Sequence, residues 1–192
     1  MNKILDTKNV ELFLYINSHH NTFWDQVMYL LSSTSIWIPL YIYIIFIFYK
    51  IYKSKSWVCI ITAIAMITLS DQISTYFKYV TKVLRPSHEI YLKNIVHLSK
   101  AGPGGLYGYV SSHASNFFTF TLFLTILLPK KYNGFKVALF ICSILVSYSR
   151  IYNGVHYPMD ILRGAMLGAT IGTVFGLILT HNKYLNSKPT IK

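Results

Sequence analysis

The sequence predicts an all-α integral membrane protein, a helical bundle of about five transmembrane helices preceded by an amphipathic amino-terminal helix. The count becomes six if the amino-terminal segment also spans. Three observations carry this. Of 192 residues, 53% are hydrophobic and only 12% are charged. A soluble domain carries about 25% charged residues, and half that cannot coat a globule of this size. The apolar residues come in long runs, at 36–49, 63–69, 117–128 and 137–146. Aromatic residues reach 16%, with 16 Tyr, and much of the Tyr and Trp stands at the ends of those runs. Such rings suit headgroup depth. Disorder, fibrous repeats and most soluble folds are excluded.

Residues 1–26 form the first segment. Val10, Leu12, Phe13, Leu14 and Ile16 alternate with polar groups, which predicts a short amphipathic helix on the membrane surface ending near Asn17 and Ser18. His19, His20 and Asn21 interrupt any span there. Lys3, Asp6, Lys8 and Glu11 leave no apolar core for a signal peptide. Residues 27–180 form the membrane-embedded domain. Its first expected span is 27–49, long enough for a hydrocarbon core of about 30 Å. The second, 57–78, contains Asp71, whose cost in lipid turns it toward the bundle interior. A polar loop follows at 79–110, broken by Arg85-Pro86 and by the Gly-Pro-Gly-Gly stretch at 102–105. The remaining spans are 112–128, ended by Pro129, then 134–152 and 158–180. In the last, Gly164, Gly168, Gly172 and Gly176 recur every fourth residue, the spacing that brings a neighbouring helix close. Residues 181–192 read as a polar cytoplasmic tail. Cys59 and Cys142 lie inside apolar runs and read as core thiols.

The net charge of +12 comes from 18 Lys and Arg against 6 Asp and Glu. The cations do not form the stripe that nucleic-acid binding requires. They cluster between apolar runs, at Lys50, Lys53 and Lys55, at Lys130, Lys131 and Lys136, and at Lys183, Lys188 and Lys192. With five spans these clusters share one side, cytoplasmic by the positive-inside rule. The loop 79–110 and the turn 151–157 then face outward, toward the periplasm or exterior of a bacterial inner membrane.

On that outer side stand Lys78, Arg85, Ser111, Ser112, His113, Arg150, His156 and Asp160. One lysine and two arginines suit a phosphate, since a guanidinium can grip two oxygens at once. No second carboxylate stands nearby for glycosidase-like chemistry, and no Cys/His cluster suggests a metal. Pro86 disfavours helix at Arg85, so the chain turns there. Ser111, Ser112 and His113 open a helix, where free N–H groups favour an anion. Pro158 suits the first turn of the last helix. Asp160, one turn beyond His156, can accept its ring N–H and fix the tautomer.

Lys78-x6-Arg85-Pro86, Val110-Ser111-Ser112-His113 and Ser149-Arg150-x5-His156-x3-Asp160 resemble the three signature motifs of the type 2 phosphatidic acid phosphatase family, K-x6-R-P, P-S-G-H and S-R-x5-H-x3-D. The first and third match in full. In the second, Val110 stands for Pro and Ser112 for Gly. The resemblance covers roughly 57–175 and implies a membrane lipid phosphatase that needs no cofactor and no metal. It implies that His156 attacks phosphorus and forms a phosphohistidine, that Asp160 orients it, and that His113 protonates the leaving oxygen. It also implies that Lys78, Arg85, Ser111, Ser112 and Arg150 bind the phosphoryl oxygens. The substrate would be a phospholipid or polyprenyl phosphate reached from the bilayer, such as undecaprenyl diphosphate or lipid A. Phosphatidylglycerol phosphate and phosphatidate are alternatives within the class. The loop 87–109, with Tyr91, His97, Lys100 and Tyr107, is the expected place for head-group selection, with His88 and His97 as bystanders to the chemistry. A catalytically silent lipid-phosphate binder is disfavoured by the intact His113, His156 and Asp160. A vanadate-dependent haloperoxidase is disfavoured by the apolar spans. Nothing in the chain calls for an obligate protein partner.

Overall fold

The computed structural model describes residues 7–182 and Leu185; the expected tail at 181–192 lies almost wholly outside them. Among the described residues, seven α-helices follow one another: α1 (Thr7–Ser18), α2 (Thr22–Ser32), α3 (Ile38–Tyr52), α4 (Ser56–Thr81), α5 (Ser112–Leu127), α6 (Asn133–Tyr152) and α7 (Pro158–Thr180). Three stretches are long and apolar enough to cross a membrane: Thr34–Thr81, Lys130–Tyr152 and Pro158–Thr180. The first holds both α3 and α4, joined at a 3₁₀ turn over Lys53–Lys55. Helix α5 has 16 residues, about 24 Å at 1.5 Å per residue, short of a ~30 Å hydrocarbon core.

One expectation is corrected. The span at 27–49 is not one helix. The chain leaves α2 after Ser32, is extended at Ser33, passes through a 3₁₀ turn at Thr34–Trp37 and restarts as α3. Four consecutive hydroxyl residues, Ser32 to Ser35, offer the backbone competing hydrogen bonds. Pro39 in the first turn of α3 lacks an N–H and favours a helix start there. The break gives the amino-terminal region two short helices instead of one.

Helix α1 ends at Ser18, as its pattern predicts, but its buried face holds Asn9, Phe13 and Asn17, while Leu12 and Tyr15 are exposed. It packs on protein: Phe13 joins Leu92, Ile151 and Tyr157 in a small core beneath the loop and the α6–α7 turn. The larger core lies lower in the bundle and includes Ile44, Phe48, Cys59, Met66, Phe123 and Leu139.

Helix α5 is the axis of the bundle. Hydroxyls tie it sideways: Ser115 meets Ser70 of α4 at 2.5 Å, and Thr121 meets Ser143 of α6 at 2.8 Å. Such bonds suit a medium that offers no water. Against α7 it packs backbone to backbone. A Cβ at Gly164, Gly168 or Gly172 would strike the carbonyls of Ser111, Ser115 and Thr119 respectively. The four-residue glycine repeat is therefore a seam, and it brings the start of α5 beside the start of α7.

Candidate functional site

Four segments converge where that seam meets the loop. Helix α4 ends at Thr81, its C-cap Lys82 in the left-handed region, and Lys78 lies in its last turn. Arg85 is already extended, as Pro86 demands, so it is carried by a turn and not by a continued α4 face. The chain then folds back on itself. Arg85 N–H donates to the Leu106 carbonyl at 3.1 Å, and Arg85 Nε donates to the Tyr107 carbonyl at 3.0 Å. Helix α6 supplies Arg150, side chain buried, from its final turn.

The α6–α7 turn is tight. Gly154 has φ +78°, and a side chain there would collide with the His97 carbonyl and with Val96. Only glycine lets the turn lie flat against the loop. His156 follows, 1% exposed, with Nδ1 3.3 Å from Asp160 Oδ2. The same carboxylate oxygen accepts the Tyr157 N–H at 3.0 Å. A carboxylate accepts, so His156 carries its hydrogen on Nδ1 and presents a bare Nε2. Burial is the main cause that drives the His156 pKa well below 6.5, reinforced by the charges of Arg85, Arg150 and Lys78. The ring is a neutral nucleophile in form. Arg85 is also shifted down, by burial first, with Asp160 opposing.

Helix α5 opens on the other wall. Ser111 is its N-cap: Oγ accepts from Ala114 N–H at 3.4 Å, and its own N–H donates to the Asp160 carbonyl at 3.0 Å. Ser111, expected as a phosphate ligand, is fully buried and spends its polar groups on holding α5 to α7. Ser112 has a different use. Lys78 Nζ donates to its Oγ at 2.6 Å. The hydroxyl that departs from the resembled motif thus orients a cation. His113 Nε2 lies 3.2 Å from the Ser32 carbonyl of α2.

All eight sequence-chosen residues therefore gather at one end of the bundle. Arg150 Nε is buried and has no hydrogen-bond partner among the described residues. An oxyanion fits that orphaned donor, flanked as it is by Lys78 and Arg85. Among the described residues no three His, Cys, Asp or Glu side chains are placed to hold a metal ion. A cavity of about 560 Å³ runs between α3, α4 and α5. Leu40, Ile44, Phe48 and Ile64 give it an apolar wall, and Ser112, His113 and Asp71 also line it.

Sequence reading missed several groups. Arg163, on the helix face of Asp160, reaches Asp160 Oδ1 at 3.6 Å and stacks over Tyr109 at 4.5 Å. The i,i+3 spacing was a signal for it. Asn9, Asn17 and Asn153 carried none, because their partners lie far along the chain and, apart from Ser32 Oγ, are backbone groups. Of the loop residues expected to select head groups, His97 is turned away, pairing with Asp25 at 2.8 Å and stacking on His20. Tyr107 gives its carbonyl to Arg85, whereas Tyr91 and Lys100 are exposed.

Comparison with known proteins agrees with this geometry. The model of the PAP2 superfamily matches residues 56–184. A protein of Bacteroides thetaiotaomicron named lipid A 4'-phosphatase is 33% identical over 181 residues, 93% of this chain and 80% of that protein. One of Sulfolobus acidocaldarius named undecaprenyl-diphosphatase is 31% identical over 166 residues, 85% of this chain and 74% of that protein. The crystal structure of LpxE from Aquifex aeolicus superposes with a TM-score of 0.66 at 26% identity, covering 91% of this chain and 98% of that one. The cations gathered at one end of the bundle, the His156–Asp160 pair and the match over most of the bundle converge: the chain is an integral membrane protein of the PAP2 superfamily.

Proposed function

We propose that this protein is a lipid phosphatase that hydrolyses a phosphomonoester or diphosphate of an envelope lipid, lipid A or undecaprenyl diphosphate, through a phosphohistidine. The carrying observation is the buried His156–Asp160 pair within the charge field of Lys78, Arg85 and Arg150; an apolar cavity reaches Ser112 and His113 of the same site. A lipid can leave its tail in the cavity or bilayer while its phosphate enters the cations. The names of the relatives support the substrate class.

In this reading Lys78, Arg85, Arg150, Ser112 and the free N–H groups of the first α5 turn hold the phosphoryl oxygens. Their charge stabilises the transition state. The Nε2 lone pair of His156 attacks phosphorus, and the bond to the lipid oxygen breaks. Protonated His113 gives that oxygen its proton and becomes neutral. It then takes a proton from water as the water attacks the phosphohistidine, which frees His156 and releases phosphate. The cations supply the charge neutralisation that a metal supplies elsewhere, so chelators leave the rate unchanged.

The test is phosphate release by purified protein from a panel of lipid A, undecaprenyl diphosphate, phosphatidylglycerol phosphate and phosphatidate. Turnover of either of the first two bears the reading out. Turnover confined to the last two moves the substrate class, and turnover of none overturns it.

Sidedness belongs to the same proposal. The Lys clusters support an orientation with Lys131 in the cytoplasm and the loop outside, in the inner membrane of a bacterial cell. Cysteine placed at exposed Lys100 is labelled by an impermeant maleimide added to intact spheroplasts, and cysteine at exposed Lys131 is not. The opposite pattern reverses the orientation.

Ser112 gives a graded prediction. Its hydroxyl takes one of the three hydrogens of Lys78, so Ser112→Gly frees the ammonium without removing a charge. Activity falls by less than about 10-fold, whereas Arg150→Ala, which removes a buried guanidinium, costs on the order of 10²-fold or more. Equal losses would mean that the serine is as essential as the arginine.

A further inference from the structure

The family match begins at residue 56, so α1 and α2 lie outside it, yet they touch the site directly. Asn9 Oδ1 accepts the Met159 N–H at 3.0 Å, an N-terminal cap for α7 supplied from another helix. Ser32, the last residue of α2, turns its carbonyl to His113 Nε2 at 3.2 Å. Asn153, fully buried in the α6–α7 turn, donates through Nδ2 to the Met28 carbonyl and to Ser32 Oγ, each at 3.2 Å. The two bonds end one turn apart at the end of α2, on Met28 and Ser32, and the Ser32 carbonyl is the group that touches a proposed reacting residue.

A carbonyl oxygen can only accept. The hydrogen of neutral His113 therefore sits on Nε2, and Nδ1 is bare. The Ser32 carbonyl is also among the last four of a helix, which carry partial negative charge and favour a nearby imidazolium. That is the form a general acid must take before it acts. We infer that the α2 carbonyl at Ser32 fixes the His113 tautomer, so that Nδ1 gives a proton to the leaving oxygen and takes one from water. Asn153 is the positioning residue that holds that carbonyl in place. The role of Nδ1 rests on the phosphatase reading; the tautomer does not.

Two measurements separate these. In ¹⁵N-labelled protein without substrate, at a pH where His113 is neutral, His113 shows a protonated Nε2 and an unprotonated Nδ1, assigned by their loss in His113→Gln. The reverse tautomer overturns the inference whatever the protein hydrolyses. The second compares an alkyl phosphate, a poor leaving group, with nitrophenyl phosphate, a good one that needs little protonation. Asn153→Ala slows the alkyl phosphate by about 10- to 100-fold, part of the 10²–10⁴-fold that general-acid help provides, and the nitrophenyl ester by less than about 3-fold. His113→Gln shifts the same ratio further. Ser32→Ala, which keeps the carbonyl and the Asn153–Met28 bond, shifts the ratio by less than Asn153→Ala and guards against a folding artefact. Equal slowing of both substrates, or an unshifted ratio, overturns the role of Asn153. If the wild type hydrolyses neither compound nor any lipid of the panel, the phosphatase reading fails, while the labelled spectrum still decides the tautomer.

Discussion

His156→Ala abolishes phosphate release, a loss on the order of 10⁴-fold or more, the scale at which members of a nucleophile and orienting pair act. The side chain is buried, its Nδ1 is committed to Asp160, and Nε2 is the atom left to react. No other side chain described around the cations pairs a free ring nitrogen with a carboxylate in this way. The variant keeps Lys78, Arg85 and Arg150, so it still binds inorganic phosphate, but it loses vanadate, whose five-coordinate, transition-state-like shape needs Nε2 as the apical ligand. A rapid alkaline quench of wild type with labelled substrate traps acid-labile phosphate on the protein, and the variant traps none. Asp160→Asn leaves a misoriented ring and a smaller loss, roughly 10²–10⁴-fold. A His156→Ala protein that keeps its rate would remove the nucleophile assignment outright. The depressed pKa adds a signature in stability. Folded His156 resists protonation while the unfolded chain takes up a proton near pH 6.5, so wild-type stability is lost as pH falls below that value. His156→Ala lacks this linkage, and its thermal midpoint falls less over the same range.

Gly168→Leu has the second large effect, although it touches no reacting group. A Cβ at Gly168 falls on the Ser115 carbonyl, and neither helix backbone can give way locally. Overpacking of a tight interface costs about 1–3 kcal/mol, and here the clash is with main chain. The thermal midpoint in detergent drops, and activity drops with it, because α5 carries His113 and α7 carries Asp160. Gly134→Ala, where a Cβ meets nothing within 4 Å, is the control and leaves both unchanged. A Gly168→Leu protein as stable and active as wild type would mean that the two helices are not in backbone contact.

Much of this was legible in the chain itself. The helices α4 to α7 lie close to the expected spans because apolar runs of that length, one stopped by Pro129 and one started by Pro158, leave the backbone few alternatives. The glycine repeat announced a close helix neighbour, since glycine every four residues strips one face of side chains. The candidate site residues were readable because their types answer to one chemistry, with cations that suit a phosphate and a carboxylate one turn from a histidine. The break at Ser33 was less legible. Apolar content continues through it, and only the local competition of four hydroxyls and Pro39 divides the run.

What the sequence alone determined is the helices α4 to α7, the membrane setting and the set of cations, histidines and carboxylate that gather at one end of the bundle. What only the tertiary structure decided is which atoms those groups present. Ser111 spends its hydroxyl on a cap, Ser112 turns to Lys78, and His113 takes its tautomer from a carbonyl 81 positions away in the chain. The physical reason is that periodicity and composition record burial and charge, which are properties of a residue. A hydrogen bond to a distant backbone carbonyl leaves no mark on residue type, because every residue has that carbonyl.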